Sequence, residues 1–184
     1  MKSLSLALTI LFLSFSFNAF PQSPEPSRTS VMKNWDVWVG DWTLVGTARD
    51  GPSTAEYKVT WKLHETRIFG GAFIQVDQIW QGSGPEERAL EILSYDPVKK
   101  LPSLYGFYSD GSTWSASATF GGLHCIETGT TITADGKYLK WRVDWTFSKD
   151  RMSVSGSQEI EQDGVKWTAF TVKGTKAQEP MAKH

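Results

Sequence analysis

Chemistry in this 184-residue chain would have to come from a short roster of side chains. Besides the terminal His184, the imidazoles are His64 and His124, and Cys125 is the one cysteine. Zinc needs three or four His, Cys or carboxylate ligands at close spacing, and no such cluster occurs. There is no Gly-x-Ser-x-Gly elbow, and a lone strand histidine cannot supply a Ser-His-Asp relay by spacing. Glu65, Asp77, Glu91 and Asp144 fall in alternating segments and could meet in a cavity as an acid/base pair. The plainer reading places them as solvated charges on outer faces. Asp41, Asp50, Asp96, Asp110, Asp135 and Asp163 sit at turns and caps. The glycines mark turns, not a phosphate-cradling loop ahead of a helix. A lone cysteine in a strand pattern reads as a small buried hydrophobe and leaves no internal disulfide. No catalytic residue, metal site or cofactor is expected from these residues.

Binding chemistry is better served. Within Tyr138–Phe147, every second residue is apolar: Leu139, Trp141, Val143, Trp145 and Phe147. Lys140, Arg142, Asp144 and Thr146 alternate with them, so a strand here has one aromatic face and one charged face. Similar sets are Trp114, Ala116, Ala118 and Phe120, and Tyr57, Val59, Trp61 and Leu63. Small Ala116 and Ala118 opposite large rings would leave volume. On that basis Trp61, Trp114, Phe120, Trp141, Trp145 and Phe147 are the candidate ligand contacts. The competing reading is that the rings fill the interior as a solid core. A charged lumen, with the aromatics packed elsewhere, is a further alternative, because a one-residue slip reverses every facing.

These faces need strands to hold them. Ten alternating runs follow Trp42: 42–49, 56–65, 72–81, 88–95, 103–109, 112–120, 123–133, 138–147, 151–162 and 165–173. Turn signals separate them, among them Asp50-Gly51, Asp110-Gly111, Asp135-Gly136 and Asp163-Gly164. Short links make sequential antiparallel neighbours, and closure removes the two edges that such a meander would expose. An all-β, ten-stranded antiparallel barrel is therefore expected over residues 31–174, rather than a sandwich, which needs longer crossings. A short helix over Val31–Val39, capped by Ser30 and stopped by Gly40, would precede it, with Val31, Trp35 and Trp38 on one face.

The ends read differently. Residues 1–22 resemble a secretory signal peptide: Lys2, an uncharged run from Leu4 to Phe17, then Ala19 and Pro21. That run is short for a bilayer span, which needs about 20 residues. Residues 23–30 read as a flexible lead and 175–184 as a disordered tail, and a periplasmic or extracellular location is expected. Formal net charge is −1, so neither nucleic acid nor an anionic membrane is an indicated partner.

Trp38-Val39-Gly40-Asp41-Trp42 resembles the entry of calycin-type barrels, the lipocalins and fatty-acid-binding proteins. The resemblance implies that Trp42 packs across a closed barrel end, with a basic side chain of the last strand lying on it. Lys173 is the nearest candidate for that role. Gly40-Asp41-Trp42, Gly70-Gly71-Ala72-Phe73, Tyr95-Asp96-Pro97 and Asp110-Gly111 together resemble a bacterial lipocalin-like family of unknown function. Ala72 stands where that family usually has Arg. The related nitrobindin-type barrels hold heme on one histidine, and alternation turns His64 outward. The expected function is a secreted lipocalin-like protein that holds a small apolar or amphipathic ligand inside the barrel. The rivals are a small-molecule enzyme of hydrolase or isomerase type with a cavity acid/base group, and a non-catalytic interaction domain. The last would place Trp80 and Trp167 together on the outside.

Overall fold

A computed structural model describes residues 28–178, so the segment read as a signal peptide, most of the segment read as a flexible lead and residues 179–184 lie outside the described residues. The helix starts at Arg28, earlier than the cap signal at Ser30 suggests. α1 covers Arg28–Lys33 and tightens into a 3₁₀ turn over Asn34–Val37, ending at Trp38 instead of continuing to Val39. The tighter winding nearly eclipses side chains three residues apart. Trp35 and Trp38 are both buried there.

Ten strands follow: β1 Gly40–Ala48, β2 Tyr57–Ile68, β3 Phe73–Gln81, β4 Glu87–Asp96, β5 Leu101–Tyr108, β6 Thr113–Gly121, β7 His124–Ile132, β8 Tyr138–Phe147, β9 Ser153–Gln162 and β10 Val165–Lys176. Each pairs antiparallel with its chain neighbours, and β1 also pairs with β10, so the sheet is a closed barrel. The expected tail is shortened from within, because β10 carries Thr175 and Lys176 in register with Thr43 and Trp42. At the β9–β10 hairpin both Asp163 (φ 50°) and Gly164 (φ 81°) are left-handed, as the tight turn between twisted strands requires. A bulge between Thr168 and Phe170 buries Ala169 and Phe170 in succession and changes which residues of β10 point inward.

One end of the barrel is stoppered. Trp38 stacks edge-on against Trp42, Trp145 and Phe147, with ring centroids 4.8–5.3 Å apart, and Trp35 meets Phe120 at 5.0 Å. Trp42 Nε1 donates to the Trp38 carbonyl at 2.7 Å, which ties the end of the 3₁₀ turn to β1. The basic residue over Trp42 is Lys176, not Lys173. Lys176 is the cross-strand partner of Trp42, with Nζ 5.7 Å from the ring centroid, and that ammonium donates to the Val37 carbonyl at 3.2 Å. Lys173 has the opposite parity to inward Val172 and Gly174 and is exposed.

Candidate functional site

Above the stopper lies a cavity of about 500 Å³ that opens among the loops at the other end. Trp61, Trp114, Trp141 and Trp145 are in its wall, brought together by β2, β6 and β8. Phe120 and Phe147 are not; both pack beneath it, against Trp35 and against Trp38 and Trp42. Trp80 and Trp167, considered above as an outer patch, face inward and line the same cavity. Trp80 shares parity with buried Ile74, Val76 and Gln78 along β3, and its ring meets Trp61 at 5.4 Å. Phe170 joins them through the β10 bulge, 5.7 Å from Trp61 and 6.0 Å from Trp145. Alternation around that bulge could not be read from residue types alone.

The volume comes from glycines more than from Ala116 and Ala118, neither of which is in the cavity wall. Trp114 faces Gly106 across the β5–β6 pair, Trp141 faces Gly129 across β7–β8, and Trp145 faces Gly156 across β8–β9. A Cβ on any of these glycines would come within 2.0–2.5 Å of the facing indole. Each indole therefore lies over bare backbone, and the lumen keeps space that a side chain would occupy.

The deep end is acidic. Glu65 and Glu91, expected on outer faces, point inward and are 4 % and 9 % exposed. The parity was readable: Glu65 continues Tyr57, Val59, Trp61 and Leu63, and Glu91 lies between inward Ala89 and Leu93. Glu127 of β7, in step with buried Cys125, joins them and was not singled out by its sequence context. Asp77 and Asp144 are exposed, and Asp144 forms a two-point pair with Arg142 at 2.7 and 2.9 Å. Gln78 Nε2 donates to Glu91 Oε2 at 2.7 Å, and Trp145 Nε1 donates to Glu127 Oε1 at 3.1 Å. Glu65 Oε2 is buried without a hydrogen-bond partner.

Burial raises the pKa of all three carboxyls, and their mutual repulsion adds to this for Glu65 and Glu91. Glu127 rises to about 7, with the Trp145 N–H working against the shift. Burial also pushes the Cys125 thiol up. Glu127 can hold or release a proton near neutrality, and all three carboxyls can accept hydrogen bonds or face a cation.

His64 lies on the outer face with Nδ1 2.6 Å from Asp41 Oδ1, and His124 contacts Thr146 Oγ1 at 3.0 Å. Neither imidazole lines the cavity, so the residues present do not fit a histidine-held heme there. Among the described residues no group of three His, Cys, Asp or Glu side chains could hold a metal ion.

No family model and no curated protein matches the chain. Among solved structures, Rv2717c from M. tuberculosis is similar, with a TM-score of 0.61 and 13 % identity over 80 % of this chain and 98 % of that one. At that identity the likeness speaks for the barrel fold alone.

Proposed function

We propose that this protein is a secreted or periplasmic lipocalin-like carrier that holds a small apolar or amphipathic molecule within its barrel. The cavity of about 500 Å³ walled by indoles is the observation that carries the reading. That volume lies within the usual range of small-molecule sites, and aromatic walls with a few convergent polar groups are their usual lining. Trp61, Trp114, Trp141 and Trp145, with Trp80 and Phe170, are the ligand contacts in this reading. The test is a titration of purified protein with a hydrophobic fluorophore, paired with extraction of whatever co-purifies. Blue-shifted emission that Trp141→Leu weakens supports the carrier; no shift and no extracted compound defeat it.

A second reading rests on Glu127. A half-buried carboxyl held at about 7, in a cavity, is poised for general acid/base work. It calls for turnover of a bound small molecule that Glu127→Gln abolishes while binding persists. The interaction-domain reading loses its premise, because Trp80 and Trp167 point inward and the barrel is closed.

A further inference from the structure

Beside the main cavity is a recess of about 40 Å³, walled in part by Glu65, Glu91, Glu127 and Trp145. Glu91, Glu127, Trp61, Gln78 and Trp145 belong to both walls, so the recess adjoins the cavity floor. Its volume suits a headgroup about the size of one or two water molecules. Three carboxylates face it, and one of them, Glu65, is 4 % exposed with Oε2 unpartnered. The cation acting on Glu65 is Lys176, whose ammonium is already engaged by the Val37 carbonyl and the Trp42 ring.

The mouth carries the same sign. Asp50, Glu87 and Asp110 line it together with Arg49 and Arg88. Both guanidiniums are paired at 2.8 Å with carboxylates outside the lining, Arg49 with Glu56 and Arg88 with Glu86. Repulsion from Asp110 and Asp50 adds to burial in raising Glu87. A solute entering the barrel therefore passes acidic groups at the mouth, indole faces along the wall and acidic groups at the floor. Indole faces attract cations through the ring quadrupole, and a buried carboxylate needs a counter-charge. A bare metal ion does not meet the need, since these carboxylates form no metal-holding group.

We propose that the barrel selects a protonated amine, its primary ammonium seated in the recess against Glu91, Glu127 and Glu65 and its apolar body among the indoles. This rests on the carrier reading and gives its ligand a charge and an orientation. The amine enters as the ammonium, and the carboxyls that meet it give their protons to solvent. The groups facing that charge are Glu65 from β2, Gln78 from β3, Glu91 from β4, Glu127 from β7 and the Trp145 N–H from β8, with the Tyr108 hydroxyl of β5 near Glu91 and Lys176 of β10 near Glu65.

The test uses the purified chain at pH 8, titrated by tryptophan fluorescence with n-octylamine, n-octanol and n-octanoate. Octylamine is expected to bind at least about tenfold tighter than octanol, with octanoate weakest. In Glu65→Gln/Glu91→Gln the amine-to-alcohol ratio is expected to fall severalfold while octanol binding is kept, the remaining preference being held by Glu127. Should the double variant fail to fold, Glu91→Gln alone carries the test, with a reduced ratio expected. Octanol binding as tightly as octylamine overturns the proposal but leaves the carrier reading standing. A preference for amine undiminished by the glutamine substitutions overturns the assignment to the recess. If none of the three probes binds, the carrier reading falls as well.

Discussion

Gly156 lies directly across from Trp145, and a Cβ placed on it would sit 2.1 Å from the indole's Cε3 and Cζ3. The glycine is the space in which the ring lies. Gly106 stands in the same relation to Trp114, and Gly129 to Trp141. Gly156→Val is expected to lower stability by about 1–3 kcal/mol, the usual cost of overpacking, and to push Trp145 into the lumen. Urea denaturation gives the first effect. A reduced fluorophore capacity gives the second, and an unchanged midpoint would refute the packing argument.

Cys125 is fully buried in β7 and its thiol is pushed up by burial and by the neighbouring carboxylates. Only the thiolate attacks a disulfide reagent. The native protein at pH 8 is therefore expected to react with such a reagent orders of magnitude more slowly than after unfolding in guanidinium. Equal rates in the two states would contradict the placement.

The acidic floor gives stability a definite pH slope. A carboxyl with a raised pKa keeps its proton in the folded chain after the unfolded chain has released it. Stability is then lost as pH rises above the ordinary value of 4.5, and for Glu127 the loss continues until about pH 7. Half-buried Asp96 and exposed Asp135 act in the opposite sense. Hydrogen bonds hold their carboxyls low, so their contribution fades as pH falls, to about 2 for Asp135. Thermal melts are expected to show a higher Tm at pH 5 than at pH 8, with a smaller difference in Glu127→Gln.

Lys176→Met removes a contact with the Trp42 ring and a hydrogen bond to the Val37 carbonyl. Together these are worth about 1–2 kcal/mol. Lys173→Met, three residues back along β10 and on its exposed face, is expected to change stability by less than about 0.5 kcal/mol. Chemical denaturation of the two variants side by side separates the roles.

Much of this architecture was legible because alternation is a strong signal where one face is wet. β8 appears at its expected bounds, Tyr138–Phe147, with Leu139, Trp141, Val143, Trp145 and Phe147 inward. Where the structure departs from the sequence pattern, the physical causes are specific. A glutamate's type argues for water where its parity argues for the interior, and Glu65 sits in step with Leu63 and Trp61. The stopper takes in more than Trp42: Phe120 and Phe147 are inward by parity, but depth along the barrel, set by the stagger of the strands, puts them under the floor. The glycine–indole pairs depend on cross-strand register, which no single strand encodes. Lys176 lies past the apolar run of β10, and its place is set by pairing with β1.

The bond from Lys176 to Val37 spans 139 residues of chain. The stopper and β1 are made early, whereas the strand that completes the ring and anchors the stopper comes last in the barrel. Such distant partners are costly to bring together before other contacts form. A chain halted before β10 thus has an open trough with no sealed bottom: Trp61, Trp114 and Trp141 are all synthesised, yet no enclosed site exists. The site comes into being with the last strand, so a nascent or clipped chain that lacks it has nothing with which to retain a guest.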